Sequence, residues 1–357
     1  MEINKVVCMD NLEYTESLPS ESVDLIYGDI LYGTGKKFKD YDDKLGTPQQ
    51  AIEWYRPRLI EMYRVLKETG SIYLQCDYRL IHYLKVEMDK IFEYDNFRNE
   101  IVWLRSNSGK TTSKSFPNDT DSILFYSKSK DYILNKVFKP LSENTKKMYN
   151  KNDNDGRGKY RLLPMQKTST PTKGTVYNYI DNNNKEWKCP KKGWRMINDK
   201  LKKLENDNRL ILTGNNLSEK GYWNERESEG KLANNLWDDI PNLQGNNKEI
   251  VNYDTQKPLQ LMDRILKASS NENDLVADFF CGSGSFLVKA KELKRNYIGC
   301  DINPRAVEIT NLRLTSQDAF QIYGATNIGG AQWGQFIITQ KIHNTLKIIG
   351  AQCLLLL

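Results

Sequence analysis

Short apolar runs, several of them closed by aspartate or glycine, recur in the first third and the last quarter of the chain, and the middle lacks that rhythm. Leu275 to Asp278 is one such run. Gly282 and Gly284 follow as a tight turn, Ser285 to Leu293 repeats at helical spacing, and Asn296 to Cys300 predicts a second strand. In this β-α-β unit, backbone N–H groups at a helix N-terminus face an anionic group, a carboxylate more readily than a phosphate. Asp301 ends the next strand where a ribose would lie. The pattern suits a nucleoside, but the third glycine of a dinucleotide fingerprint is missing, and a tight turn with no ligand explains Gly-x-Gly equally well.

The first third carries the same alternation. Lys5 to Met9 predicts a strand ending at Asp10-Asn11, and Ser22 to Tyr27 predicts a second, leading into Gly28-Asp29-Ile30-Leu31-Tyr32-Gly33-Thr34-Gly35. Glycines on both sides mark a sharp loop at a strand's carboxyl end, where open α/β sheets bind ligands. From Thr47 to Leu66, Ile52, Tyr55, Leu59, Met62 and Leu66 repeat at helical spacing, with Pro57 predicting a kink or a restart. Ser71 to Gln75 is the next strand and Tyr78 to Ile91 the next helix. Glu100 to Trp103 and Ser122 to Tyr126 are close enough to form an antiparallel pair. Between them, Ser108-Gly109-Lys110-Thr111-Thr112 invites a phosphate-loop reading, but the glycine required five positions before Gly109 is Leu104, which excludes it. Lys110 and Lys114 are candidates for backbone phosphates, or equally part of a solvated loop.

From about residue 127 to 245, Asn, Lys and Gly dominate, with ordered pieces expected near Gly174 to Ile180, Trp187 to Ile197 and Trp237-Asp238-Asp239-Ile240-Pro241. Regular pattern resumes at Asp254-Thr255-Gln256-Lys257-Pro258, where Pro258 opens a helix with an apolar face of Leu261, Met262, Ile265 and Leu266.

Charge sharpens this division. Of 52 Lys+Arg and 46 Asp+Glu in 357 residues, residues 106–205 hold 22 and 10, so this segment is strongly basic while the rest is slightly acidic. Interleaved with Tyr149, Tyr160, Tyr177, Tyr179, Trp187 and Trp194, that excess suits a polyanion whose phosphates it neutralises; a solvated lysine-rich insertion is the plainer alternative. Six scattered cysteines without a Cys-x-x-Cys pair, and two histidines, indicate neither zinc nor disulfides and suggest a reducing cytosol. No signal-peptide pattern opens the chain and no apolar run reaches membrane-spanning length, so a soluble cytoplasmic protein is expected.

Taken in order, four motifs resemble those of the S-adenosylmethionine-dependent DNA amino-methyltransferases in their permuted arrangement, catalytic half first and cofactor half last. Asp29-Ile30-Leu31-Tyr32 sits where the family has Asp-Pro-Pro-Tyr. Asp278 to Gly284 resembles the cofactor loop, Thr255-Gln256-Lys257-Pro258 the lead-in to its first helix, and Trp237-Asp238-Asp239-Ile240 a further recurring motif. The similarity spans residues 1–135 and 235–315. It implies a class I, Rossmann-like α/β fold with a mostly parallel doubly wound sheet and an antiparallel pair, circularly permuted. Residues 1–135 would form the catalytic half, 136–245 a basic target-recognition insertion and 246–316 the cofactor half. The tail, 317–357, has no assigned role.

The resemblance implies a catalytic set of Asp29, Ile30, Leu31 and Tyr32, acting on the N6 amine of adenine because position 29 is Asp rather than Ser, with cytosine N4 as the alternative. It implies S-adenosyl-L-methionine held by Asp10, Asn11, Lys257, Pro258, Asp278, Phe279, Phe280, Gly282, Gly284, Asp301 and Ile302. Within that set, Lys257 and the turn would meet the methionine portion, Asp301 the ribose, Ile302 the adenine face and Asp10 its amine edge. Arg105, Lys110 and Lys114 would contact duplex DNA; a cognate restriction endonuclease and a second copy of the chain are the other implied partners. Both prolines of the catalytic tetrapeptide are replaced here, which predicts a working but slower enzyme, with a silenced DNA-binding relative as the alternative.

Overall fold

The computed structural model describes residues 1–315 apart from 40, 107–113, 214–215, 246 and 252; the tail and Lys110 therefore lie outside the described residues. The chain divides into two compact units, Met1–Val137 together with the segment from Ala233 onward, and Phe138–Leu232.

The first unit is built on one sheet of eight strands: β1 (Lys5–Cys8), β2 (Val23–Asp29), β3 (Leu66–Cys76), β4 (Phe97–Leu104), β5 (Thr120–Ser127), β6 (Leu236–Trp237), β7 (Leu275–Asp278) and β8 (Asn296–Asp301). They lie in the order β1-β8-β7-β2-β3-β5-β4-β6. All adjacent pairs are parallel except the two made by β5, so β5 alone opposes the other seven. Helices α1 (Asn11–Glu16), α2 (Pro48–Val65) and α3 (Ile81–Phe92) cover one face, and α4 (Leu259–Ser269), α5 (Ser285–Glu292) and α6 (Pro304–Thr315) the other. Successive strand residues serve opposite layers: Ile26, Ile72, Leu74 and Ala277 join the first core, whereas Leu25, Tyr27, Tyr73 and Val276 join the second. Burial on both faces is why these strands read as unbroken apolar runs. The expected class I α/β fold is the one observed.

Several expectations need correction. Pro57 does not restart the helix but sits inside one continuous helix, because Ile52, Tyr55, Leu59, Met62 and Val65 bury a single stripe against the sheet and outweigh one lost backbone bond. The first strand does not stay with the N-terminal half: β1 pairs with β8 at the far edge of the sheet. Residues 233–245, read as part of the insertion, belong to the sheet unit. Trp237 pairs in register with Trp103, whose indole N–H donates to the Ile240 carbonyl at 2.7 Å, and Arg264 holds Asp239 through both carboxylate oxygens. The Trp237-Asp238-Asp239-Ile240 motif is thus a brace between the sheet edge and α4.

The second unit has a three-stranded antiparallel sheet (Leu210–Thr213, Asn216–Tyr222, Tyr160–Pro164), a short hairpin (Tyr179–Ile180 with Glu186–Trp187) and a two-stranded ribbon joining Phe138–Lys139 to Lys231–Leu232. Its core is Met165, Tyr179, Trp187, Trp194, Leu201 and Leu217. The aromatics interleaved with its lysines therefore play a different part from the one their spacing suggests. Tyr149, Tyr160, Tyr179, Trp187 and Trp194 are all buried, because a unit this poor in aliphatic residues builds its core from rings.

Candidate active site

The carboxyl ends of β1, β8, β7, β2 and β3 share one edge of the sheet. The chain leaves β2 for the helices of one face and β7 for those of the other, so a crevice opens between these adjacent strands. A cavity of about 400 Å³ occupies it.

On the β7 side, the glycine turn requires its glycines. Gly282 and Gly284 have φ of +48° and +74°, and a Cβ on Gly284 would come within 2.4 Å of the Thr310 methyl. The turn is clamped from α6, where the Thr310 hydroxyl donates to the Gly282 carbonyl at 3.0 Å and the buried Arg313 guanidinium donates to that of Ser283. Burial pulls the Arg313 pKa down to about 10. Asp278 accepts from the Phe280 N–H at 3.0 Å, and burial drives its pKa well above the ordinary carboxylate range. Asp301 accepts from the Gly282 N–H at 2.8 Å and the Asn303 N–H at 2.9 Å; burial raises its pKa while those two donors oppose the shift. Ile302 beside it is exposed at the cavity rim.

On the β2 side, the Asp29 loop is held by side chains rather than by proline rings. Asp43 accepts from the N–H groups of Gly33 and Thr34, both at 2.9 Å, and the Tyr55 hydroxyl donates to the Leu31 carbonyl at 2.8 Å. Ile30 is buried and its N–H reaches the Gln75 carbonyl at 3.4 Å. Both oxygens of Asp29 are engaged: Oδ1 accepts from the Tyr32 hydroxyl at 3.0 Å, and Oδ2 pairs with the Lys257 ammonium. Burial raises the Asp29 pKa, with Lys257 opposing it. The Tyr32 hydroxyl also lies 3.1 Å from Asp121, which the Gln75 amide and Arg105 hold in place.

The structure gathers most of the residues singled out from sequence. Asp10, Asn11, Asp29, Ile30, Leu31, Tyr32, Lys257, Asp278, Phe279, Phe280, Gly282, Asp301 and Ile302 all line the cavity. Pro258 and Gly284 stand behind it, as the N-caps of α4 and α5. Asp10 caps α1 and pairs with Arg58 at 2.9 Å, while Asn11 bridges Arg58 and the Phe279 carbonyl. Arg105 donates to Asp121 and Lys114 is exposed outside the cavity; Lys110 is outside the described residues. Sequence reasoning missed Arg58, Gln75 and Asp121. A signal existed for two of them: an arginine on the apolar stripe of α2, and an aspartate opening an apolar strand.

A crevice at the switch point of a mostly parallel sheet, a glycine turn over an acidic strand end and a second acidic loop across from it define a nucleoside-handling α/β protein. Comparison with known proteins makes the class specific: the DNA methylase family of N6/N4 methyltransferases matches residues 23–312, and the chain belongs to it. The type II methyltransferase M.EcaI of Enterobacter cloacae is 34% identical over 290 residues, covering 78% of this chain and 61% of that protein. The StyLTI Mod subunit, a type III restriction-modification enzyme of Salmonella typhimurium, is 26% identical over 325 residues, covering 78% of this chain and 47% of its own length. The chain thus spans roughly half to three-fifths of these two relatives. Among solved structures, the cytosine-N4-specific PvuII DNA methyltransferase aligns over 91% of this chain and 94% of its own, at 15% identity and a TM-score of 0.49.

Proposed function

We propose that the chain is an S-adenosylmethionine-dependent DNA methyltransferase acting on the N6 amine of an adenine flipped out of duplex DNA. The charge of the cavity carries this reading. Asp10, Asp29, Asp42, Asp43, Asp254, Asp278 and Asp301 line it, and Lys257 is the one lysine or arginine among the described lining residues. Even with Arg58 on Asp10, Lys257 on Asp29 and burial favouring the neutral form of Asp278, Asp42, Asp43, Asp254 and Asp301 leave a cavity that favours a ligand of net positive charge and disfavours the pyrophosphate of a dinucleotide. A sulfonium nucleoside is such a cation, so the residues present fit it. When bound, S-adenosylmethionine supplies an electrophilic methyl group.

Asp301 accepts ribose hydroxyls, Ile302 covers the adenine face, and Asp10, about a third of whose side chain is exposed, takes the amine edge. Lys257 and the Gly282 turn serve the methionine portion. Across the cavity the exocyclic amine of the target base is a weak nucleophile, its lone pair delocalised into the ring. Asp29 and the Ile30 carbonyl accept hydrogen bonds from its two N–H groups and draw the nitrogen toward a geometry that presents the lone pair, while Tyr32 offers its ring to a base already out of the stack. The aspartate at position 29 supports adenine over cytosine, and the basic segment 106–205 supports duplex DNA as substrate. Relatives named as a type II methyltransferase and as the Mod subunit of a type III restriction-modification enzyme support a role beside a restriction endonuclease.

The test is transfer of tritiated methyl groups to mixed genomic DNA free of prior methylation, followed by nucleoside analysis. Label in N6-methyladenine that disappears in Asp29→Ala is the expected result. Label in N4-methylcytosine would replace the base assignment. Absence of label with cofactor and DNA still bound would identify a silenced relative.

A further inference from the structure

Lys257 occupies an unusual position. Its ammonium is on the carboxylate that is meant to receive the target amine, and it lies 5.5 Å from the centroid of the Tyr32 ring. With Oδ1 of Asp29 taken by Tyr32 and Oδ2 by Lys257, an incoming amine finds neither oxygen free of a partner. The same ammonium is the only cationic side chain among the described residues that line the cavity, hence the natural partner for any carboxylate entering it.

Local backbone points the same way. Thr255, two residues before Lys257, has φ of +61°, a left-handed conformation that is a true outlier for a β-branched residue and clusters at sites where strain serves function. It is held there from outside: the Tyr41 hydroxyl lies 3.1 Å from the Thr255 hydroxyl, and the Lys39 N–H donates to Asp254 at 2.9 Å. Gln256 is buried and bonded at both ends, accepting from the Val251 N–H and donating to the Glu249 carbonyl. The backbone under Lys257 is therefore fixed, and only its flexible side chain is left to choose a partner.

We propose that Lys257 is a shared cation that exchanges Asp29 for the carboxylate of the cofactor, so that Asp29 opens to the target amine only after the cofactor is in place. This rests on the functional reading above and adds an order to it. Cofactor and Asp29 compete for one ammonium, and base capture is coupled to cofactor occupancy without any backbone rearrangement. The coupling is also protective: a base entering before the methyl donor meets a closed ion pair.

Competition makes a counter-intuitive demand on binding. Removing the charge of Asp29 frees Lys257, so Asp29→Asn should bind S-adenosylhomocysteine more tightly than wild type, by about tenfold, the scale of one charge-assisted hydrogen bond returned to the ligand. Calorimetry should show Lys257→Met binding more weakly, and Asp29→Asn giving no gain in the Lys257→Met background. 5′-Methylthioadenosine, which lacks the amino-acid portion, should bind all four proteins alike, and this also reports that each is folded. Unchanged or weaker binding by Asp29→Asn would overturn the exchange while leaving the cofactor assignment intact. An equal gain with Lys257 removed would also overturn it, since the effect would then be general electrostatics. Failure of wild type to bind either nucleoside would instead overturn the functional reading beneath it.

Discussion

Gly284→Ala tests the geometry of the cofactor turn most directly. Two separate costs follow from the structure. At φ of +74° an alanine sits in the left-handed region, which costs an L-residue about 1–2 kcal/mol. Its Cβ would also lie 2.4 Å from Cγ2, 2.5 Å from Oγ1 and 2.9 Å from Cβ of Thr310. Thr310 is fully buried on α6 and its hydroxyl is committed to the Gly282 carbonyl, so it cannot rotate away without breaking that bond. Overpacking of this kind costs about 1–3 kcal/mol. Together the two give about 2–5 kcal/mol. At about 2–4 °C per kcal/mol for a domain of this size, the calorimetric midpoint should fall by roughly 10 °C.

The turn also places the Gly282 N–H on Asp301, so affinity for S-adenosylhomocysteine should fall with stability. Adding Thr310→Ala should recover only part of the loss: it removes Cγ2 and Oγ1 but leaves Cβ in place, and the backbone cost is untouched. A loss below about 1 kcal/mol, or complete rescue by Thr310→Ala, would refute the assignment of the cost to a left-handed glycine wedged against α6.

Asp278→Asn keeps an oxygen for the Phe280 N–H and removes a buried charge. A carboxylate whose folded pKa is raised leaves stability intact below its ordinary value of 3.8 and erodes it as pH climbs through the folded value. The variant should therefore melt higher than wild type at pH 7, with the gain shrinking toward pH 4; a gain independent of pH would contradict the buried-charge account. In the catalytic loop, the N–H of Leu31 makes no hydrogen bond among the described residues, whereas that of Ile30 reaches Gln75. Leu31→Pro should then be neutral or stabilising, by up to about 1 kcal/mol, and raise turnover in the tritium assay. Ile30→Pro should gain less, because it gives up that bond; a larger gain from Ile30→Pro would show that Asp43 and Tyr55 do not suffice to hold the loop.

Local chemistry made much of this protein legible. Apolar runs buried on both faces announce strands whatever surrounds them, and Gly282, Gly284 and the Asp29 loop announce sharp turns at strand ends because few other residues adopt such backbone. From these the fold class follows, and together with the family resemblance they led to the fifteen catalytic and cofactor residues singled out, thirteen of which line the cavity. Tertiary structure alone decided what depends on elements distant in the chain. The pairing of β1 with β8 joins residues nearly 300 positions apart, and no local pattern encodes the choice of edge.

Only the aromatics of the basic middle segment misled, for a related reason: they lie close in sequence to lysines but close in space to one another, and burial rather than spacing set their role. Partnering was hidden in the same way. Asp10, Asp29 and Lys257 look like free functional groups in a sequence, yet in the structure Asp10 is on Arg58 and Asp29 is on Lys257, 228 residues away. A charged side chain in a crevice is stabilised by whatever opposite charge the fold brings within reach, and only the assembled sheet determines which one that is.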